Sequence, residues 1–141
     1  MITYITNTLA IGTAEDALQV SRNHFDATLN VAIDLDFQEE FKWRHKIGLL
    51  DGPGNDPLTF MAAVIMLHSL LRQGKRVLLH CHAGTSRSVM VGATYTAAMG
   101  ITTFDDALQK IMLQRKIDSY RPSLYDLAQS VLPKLQEIIT K

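Results

Sequence analysis

The residues with the clearest chemical potential are a cysteine and an arginine separated by small and polar residues. The segment reads His80-Cys81-His82-Ala83-Gly84-Thr85-Ser86-Arg87-Ser88. It follows an apolar, strand-like run at residues 76–80 and precedes an apolar, helix-like run at residues 88–99. In open α/β sheets, ligands bind beyond the carboxyl ends of the strands and beside helix N-termini. This segment is therefore the first candidate for a binding site.

The chemistry that this segment favours is phosphoryl transfer. A loop that contains a glycine can aim successive N–H groups inward as a cradle for an anion. Arg87 offers a planar, bidentate fork to an oxyanion. The N–H groups and the helix dipole also favour a thiolate at Cys81, which would be a nucleophile aimed at phosphorus. We expect Ser88 to donate a hydrogen bond to the sulfur and to ease its departure in a second step.

The spacing resembles the Cys-x5-Arg signature of the protein tyrosine phosphatase superfamily, and the fuller match, His-Cys-x-x-Gly-x-Ser-Arg-Ser, resembles its dual-specificity branch. The resemblance extends diffusely over nearly the whole chain. It implies a metal-independent phosphomonoester hydrolase that forms a phosphocysteine and acts on phosphotyrosine and phosphoserine or phosphothreonine in proteins. No cofactor or metal ion is expected, because Arg87 and the backbone dipoles already stabilise the charge. The residues expected to bind phosphate are His82, Ala83, Gly84, Thr85, Ser86 and Arg87.

Cleavage of a phosphate ester also needs a proton for the leaving oxygen, which a carboxylic acid on a loop can supply. Asp51 ends a predicted strand and begins a Gly-Pro-Gly loop, where the resembling family places its general acid. Asp56 precedes Pro57 and suits the N-cap of a helix. We assign the acid to Asp51 and keep Asp56 as the alternative. The same carboxylate would later activate the water that hydrolyses the phosphocysteine.

Two further features concern the surroundings of the loop. The resemblance implies that His80 fixes the backbone of Cys81 by hydrogen bonding, and we expect the side chain of His82 at the mouth of the site. The resembling family often has a Pro-Asn pair after its penultimate helix, whereas residues 121–123 here read Arg-Pro-Ser. The bracing that this asparagine gives the loop must come from elsewhere, with Ser119 and Ser123 as candidates. The residues that could form a second basic wall are Arg115, Lys116 and Arg121.

The elements that must position these residues alternate between strands and helices. We predict short edge strands at residues 2–5 and 9–11, and further strands at 27–32, 47–50 and 76–80. Helices are predicted from residue 13 to about 23, and at 56–74, 88–99, 103–116 and from 122 onward, with Pro133 kinking or interrupting the last. Residues 34–46 look polar and irregular. This order predicts a single α/β domain over residues 1–141, with a central, mostly parallel sheet flanked by helices.

Composition narrows the class of protein. The 141 residues contain 14 Lys and Arg against 14 Asp and Glu, and a net charge of zero disfavours a strongly basic nucleic-acid binder. The single cysteine excludes an internal disulfide and a four-cysteine zinc site, and it favours a reducing, cytoplasmic setting. The chain begins without the features of a signal peptide and has no apolar run long enough to span a membrane. We expect a monomer whose partner is a phosphorylated protein, and whose loop takes an oxyanion such as phosphate or vanadate.

Other functions stay open at this point. The same chemistry could act on a non-protein polyanion, such as an RNA 5′-triphosphate or a phosphoinositide, and the basic residues between 42 and 46 would favour such a substrate. A phospho-reader that binds phosphate without turnover is an alternative from a different class. A sulfurtransferase with a cysteine loop is a further alternative, although the arginine six positions after the cysteine favours phosphate.

Overall fold

The computed structural model describes residues 1–37 and 42–140, in which five strands and five helices follow one another. The strands are β1 (Thr3–Tyr4), β2 (Leu9–Gly12), β3 (Ala27–Ala32), β4 (Arg44–Leu49) and β5 (Val77–His80). The helices are α1 (Ala14–Gln19), α2 (Pro57–Arg72), α3 (Arg87–Ala98), α4 (Phe104–Arg115) and α5 (Pro122–Ile139). None of these helices is long and apolar enough to cross a membrane.

The strands form one sheet in the order β1-β2-β5-β3-β4, in which β1 is antiparallel to β2 and the other pairs are parallel. His80 at the end of β5 pairs with Gly12 of β2 on one side and with Asn30 of β3 on the other. The carboxyl ends of the parallel strands therefore meet at one edge of the sheet. In sheets of this kind, that edge is where ligands bind.

The sheet is covered unequally on its two faces. Val77 and Leu79 of β5 face a large core built with helices α2 to α5, whereas Leu78 between them faces a small cluster with Ala17 and Phe25. Helix α3 is buried along its whole length. Because burial of apolar surface contributes about 25 cal/mol per Å², the larger layer supplies most of the hydrophobic stabilisation. It also fixes α3 firmly behind the Cys81 segment.

The predicted fold class is confirmed, and three details of the prediction are wrong. Strand β4 begins at Arg44 rather than at residue 47, because residues 44–46 pair with the buried strand β3, and this pairing outweighs their polar composition. Helix α1 ends at Gln19, earlier than predicted. The interruption allowed for at Pro133 does not occur, because α5 continues to Ile139 and buried residues on both sides of Pro133 hold its apolar face against the core. Residues 38–41 of the predicted irregular segment lie outside the described residues.

Candidate active site

The Cys81 segment forms a loop between the buried ends of β5 and α3. The loop carbonyls of His82, Gly84 and Ser86 all accept hydrogen bonds from protein donors, which are Ala14 N at 2.8 Å, Arg115 Nε at 2.5 Å and Met90 N at 2.9 Å. The N–H groups of residues 82–86, in contrast, donate to no acceptor within the described part of the chain. A loop whose carbonyls are engaged and whose N–H groups are not is suited to bind an anion.

The nucleophile predicted from the sequence lies at the base of this loop. Cys81 is 3% exposed, and its Sγ lies 3.2 Å from the hydroxyl Oγ of the fully buried Ser88. His80 is also buried, and its Nδ1 lies 3.2 Å from the carbonyl oxygen of Cys81, so Nδ1–H donates to that carbonyl. Burial lowers the pKa of His80 to about 4, which keeps the imidazole neutral. The predicted contacts of Ser88 and His80 with the cysteine are therefore present.

Arg87 begins α3 and is held by one end of its guanidinium. Its Nη1 donates to Oδ1 of Asp34 at 2.5 Å and to the carbonyl oxygen of Leu49 at 2.9 Å. The residue is 4% exposed, and its buried Nε has no hydrogen-bond partner among the described residues. A buried donor without a partner costs free energy unless a ligand satisfies it. Because Nη1 is already engaged, the Nε side of the guanidinium is the side that can donate to an oxyanion.

Asp34, which anchors Arg87, was missed by the sequence analysis. Its other carboxylate oxygen lies 3.3 Å from Nε2 of His82, so one exposed aspartate bridges two residues of the predicted phosphate loop, residues 81–87. The Arg87 guanidinium, which hydrogen-bonds to Asp34, lowers the pKa of that carboxyl. Asp34 follows the carboxyl end of β3, and this position was the signal that could have identified it.

The turn that carries Asp34 is shaped by two residues of the sheet. The Asn30 side chain donates to the carbonyl oxygen of Leu35 at 2.7 Å and accepts from the N–H of Ala32 at 2.9 Å. On the adjacent strand, Gly48 allows Ile33 to come close, since a Cβ at Gly48 would lie 2.7 Å from Cα of Ile33. Only a glycine at position 48 permits this approach, which brings Asp34 to Arg87.

Asp51 and Asp56 lie in different surroundings. Asp51 lines an open cleft of about 450 Å³ together with Thr85 and Ser86 of the phosphate loop. Its Oδ2 accepts a hydrogen bond from Nη2 of Arg121 at 3.3 Å. Asp56 instead caps α2, where its Oδ1 accepts from the N–H of Leu58 at 2.9 Å. The structure thus brings Asp51, and not Asp56, to the edge of the phosphate loop.

The electrostatic surroundings of Asp51 favour its ionised form. Burial of the carboxyl raises its pKa, but the neighbouring Ser86 hydroxyl, the Arg121 guanidinium and the positive charge of Arg87 act in the opposite direction and prevail. The net pKa of Asp51 therefore lies below its usual value. A bound phosphate would compete with this carboxylate for the same positive charges, and would thereby favour its protonation.

The family model of the dual specificity phosphatase catalytic domain matches residues 9–128 of the chain. The chain belongs to this family. A curated relative, Dual specificity protein phosphatase 12 of Homo sapiens, is 32% identical over 72 residues, which cover 50% of this chain and 21% of the relative. The match therefore spans about a fifth of that relative's length.

Solved structures of the same class share the fold. Human DUSP28 matches with a TM-score of 0.78 at 19% sequence identity, and the match covers 99% of this chain and 95% of that chain. A mouse protein of the dual specificity phosphatase class, solved as a complex with zinc tungstate, matches with a TM-score of 0.80 at 20% identity, covering 98% and 91% of the two chains. The resemblance seen in the sequence is thus confirmed at the level of family and fold.

Residues 121–123 read Arg-Pro-Ser in place of the expected Pro-Asn pair, and the two serines predicted to substitute for the asparagine do not brace the loop. Neither Ser119 nor Ser123 hydrogen-bonds to residues 82–88 within the described ranges. The bracing comes from Arg115, which was expected only in a basic wall at the surface. Arg115 continues the buried stripe of α4, at the i+4 position from Ile111. This periodicity was the signal that could have identified it as a buried residue.

Proposed function

We propose that the chain is a metal-independent phosphomonoesterase that acts through a phosphocysteine on phosphorylated proteins, with activity on phosphotyrosine and on phosphoserine or phosphothreonine. The observation that carries the proposal is the arrangement of Cys81, Ser88 and Arg87 around one loop. The sulfur lies beside a hydroxyl donor, and the buried Nε of Arg87 lacks a partner in the described residues. The mouse relative was solved with tungstate, a tetrahedral oxyanion, and we infer that the loop of this chain takes the same class of anion.

In the first half of the reaction, the Cys81 thiolate attacks phosphorus and forms a bond between sulfur and phosphorus. The bond from phosphorus to the ester oxygen breaks, and that oxygen takes a proton from the carboxyl of Asp51. The loop N–H groups and the Nε side of Arg87 stabilise the charge on the equatorial oxygens. Because Asp34 and Leu49 hold Nη1 in place, the guanidinium needs little reorganisation when charge develops.

In the second half, a water molecule attacks the phosphorus of the phosphocysteine. The Asp51 carboxylate takes a proton from this water, and inorganic phosphate leaves. The bond between sulfur and phosphorus breaks, and the hydroxyl of Ser88 donates a hydrogen bond to the departing thiolate from 3.2 Å. The cycle returns Asp51 to its protonated state and Cys81 to the thiolate, so no external acid is consumed.

The shape of the cleft supports a broad preference for phosphorylated residues. The acid stands at an open rim, since the Asp51 side chain is 35% exposed and Thr85 is exposed. A rim of this kind admits short phosphoserine and phosphothreonine side chains as well as phosphotyrosine. The cleft also holds the carboxylate of Asp118 beside the cations Lys116 and Arg121. This mixture of signs suits a protein surface better than a nucleic-acid or lipid polyanion.

We further place the protein in the cytoplasm as a monomer. The sequence contains one cysteine, and the proposed reaction needs it as a reduced thiolate. A reducing compartment preserves that state.

The proposal is tested by hydrolysis of an aryl phosphate in the presence of EDTA, with the wild-type protein beside Cys81→Ser. We expect turnover by the wild type alone, and we expect both proteins to bind vanadate, since the substitution removes the nucleophile and keeps the cradle. Turnover that depends on added metal, or that persists in Cys81→Ser, would contradict the proposal. Vanadate binding without wild-type turnover would favour the phospho-reader instead. Panels of phosphopeptides, phosphoinositides and triphosphate RNA then decide the substrate class.

A further inference from the structure

Arg115 is a buried arginine beneath the phosphate loop, and the proposed reaction does not use it. It ends α4, is 9% exposed, and hydrogen-bonds to neutral oxygens alone among the described residues. Its Nε donates to the carbonyl oxygen of Gly84 at 2.5 Å, and its Nη1 donates to the carbonyl oxygen of Ile11 at 2.9 Å and to Oγ1 of Thr3 at 3.0 Å. Nη1 also donates to the carbonyl oxygen of Met1 at 3.0 Å. One side chain therefore joins the loop to strands β1 and β2.

The contact with Gly84 determines which way the loop presents its dipoles. A carbonyl oxygen turned into an anion cradle would repel the anion, whereas a carbonyl held by an outside cation cannot turn inward. Gly84 has a positive φ of 68°, and a Cβ there would lie 2.5 Å from Nη2 of Arg115 and 2.6 Å from the carbonyl oxygen of Gly12. The glycine thus allows the guanidinium to lie directly against the loop backbone.

The charge of Arg115 has no carboxylate partner within ion-pair distance in the residues that the structure describes. Burying an arginine without such a partner is costly. Burial accordingly lowers the pKa of Arg115, while the negative charges of Asp16 and of the Cys81 thiolate act to raise it. The contact with the Gly84 carbonyl places this positive charge against the same loop whose base holds the buried Cys81.

We propose that Arg115 is a positioning residue that fixes the Gly84 carbonyl outside the phosphate cradle and places a buried positive charge against the loop that carries the Cys81 nucleophile. The first role needs the fork of the guanidinium, and the second needs only its charge. The proposal rests on the proposed function, since it assigns a support to the same nucleophile. It predicts that the two roles separate in different substitutions of one residue.

The test compares Arg115→Met, which loses both fork and charge, with Arg115→Lys, which keeps the charge and loses the fork. Thr3→Val is the matched control, because it removes one outer acceptor of Nη1 and leaves the guanidinium in place. The first measurement is the rate at which iodoacetamide alkylates Cys81 at mildly acidic pH, which is specific because the chain has one cysteine. The second is kcat/KM for an aryl phosphate. Circular dichroism identifies any variant that does not fold.

We expect Arg115→Met to slow alkylation about tenfold, as for loss of a nearby opposite charge. It should also lower kcat/KM roughly 10–100-fold through loss of a hydrogen bond from a charged donor. Arg115→Lys should recover most of the alkylation rate but little of the turnover, and Thr3→Val should keep both. If Arg115→Met does not fold, Arg115→Lys alone tests the proposal. The proposal then predicts a normal alkylation rate together with a reduced kcat/KM.

Two results would overturn the inference. The first is that Arg115→Met folds and keeps the wild-type alkylation rate and kcat/KM. If Arg115→Met does not fold, the same result with Arg115→Lys counts instead. The second is Arg115→Lys alkylated as slowly as Arg115→Met, which would reduce Arg115 to a structural brace. A wild-type protein that does not turn over aryl phosphate refutes the proposed function alone, because alkylation is measured without turnover.

Discussion

The two loops that form the site are held in opposite ways. The phosphate loop is fixed from beneath by buried groups, among them Arg115 and the start of α3. The acid loop, residues 50–56, carries the proposed acid Asp51 and lies at the surface. It is tied by Asn55, which donates to the carbonyl oxygen of Leu50 at 2.9 Å and accepts from its N–H at 2.8 Å. Beyond these local bonds, Asp51 forms an exposed ion pair with Arg121.

This difference fits the two tasks that the proposed reaction gives to the two loops. Electrostatic stabilisation of a phosphoryl group requires dipoles that are already oriented, so the phosphate loop is built into the core. A residue that gives and then takes a proton must follow the leaving group and the water, and an exposed loop allows this. Substitutions in the phosphate loop should therefore affect binding, thiolate reactivity and stability, whereas substitutions in the acid loop should affect proton transfer.

The largest effect is expected in the acid loop. Asp51→Asn should lower kcat roughly 10²–10⁴-fold for alkyl phosphates, which need a proton on the leaving oxygen, and much less for activated aryl phosphates. Asp56→Asn is the matched control, since Asp56 caps a helix and asparagine is an equally good N-cap residue, so both stability and turnover should stay close to those of the wild type. Steady-state kinetics over a series of leaving groups measures the difference. Our assignment of the acid would be wrong if Asp56→Asn, and not Asp51→Asn, showed the dependence on the leaving group.

A second effect concerns stability and belongs to the phosphate loop. The folded pKa of His80 is about 4, whereas an unperturbed histidine has a pKa of 6.5. The unfolded chain therefore binds the proton first, and the free energy of unfolding should fall as the pH drops from about 6.5 to 4, by up to about 3 kcal/mol. His80→Gln should weaken this decline, although His45, whose pKa is also lowered, still contributes.

Urea unfolding across this range of pH checks the prediction. His24→Gln is the control, since His24 is an exposed residue remote from the loop in sequence. A decline in His80→Gln as steep as that of the wild type would show that His80 is not the group responsible.

A third effect tests how Arg87 is anchored. Asp34→Asn keeps a hydrogen-bond acceptor but removes the charge that faces Nη1 at 2.5 Å. We expect phosphate or vanadate to bind roughly tenfold more weakly, because a hydrogen bond between charged groups contributes about 1.5–3 kcal/mol and the amide retains part of it. The leaving-group dependence should stay as in the wild type. Isothermal titration with vanadate measures the affinity, and Asp36→Asn is the control. Unchanged affinity in Asp34→Asn would mean that Leu49 alone suffices to position Arg87.

The smallest effect should come from the ion pair at the rim. Arg121→Gln removes one cause of the lowered pKa of Asp51, so that pKa should rise and the alkaline limb of kcat/KM should move to higher pH. The shift should be less than about one pH unit, since exposed ion pairs contribute about 0.2–1 kcal/mol. Lys116→Gln, in the same cleft, is the control. A shift to lower pH, or an equal shift in Lys116→Gln, would exclude the ion pair as its source.

Sequence reasoning identified the parts of the molecule where a local pattern determines the outcome. The loop from Cys81 to Ser88, the strand before it and the helix after it were predicted together, because the motif and its flanking apolar runs are contiguous. The capping role of Asp56 was also predicted, because an aspartate followed by Pro57 is typical of a helix start. A catalytic role for Asp56 had been kept as the alternative. The parallel sheet followed from the alternation of strands and helices.

The parts that sequence reasoning missed depend on contacts between distant segments. Asp34 meets Arg87 from 53 positions away, and Arg115 meets Gly84 from 31 positions away. No local pattern predicts such a pairing, although two local signals, the position of Asp34 after β3 and that of Arg115 on the buried stripe of α4, could have marked these residues as candidates. The strand pairing of residues 44–46 was missed for the same reason. Their composition is polar, and they form a strand because they pair with β3.

The central claim is that Cys81 carries the phosphoryl group during turnover. The most direct test mixes the protein with an activated aryl phosphate, quenches the reaction in acid and examines the proteolytic fragments by mass spectrometry. Asp51→Asn is included because it lacks the base for the second step and should accumulate the intermediate. We expect a phosphoryl group on the fragment that contains Cys81 in the wild type, more of it in Asp51→Asn, and none in Cys81→Ser. Turnover with no phosphoryl group on Cys81, or with the group on another residue, would contradict this claim.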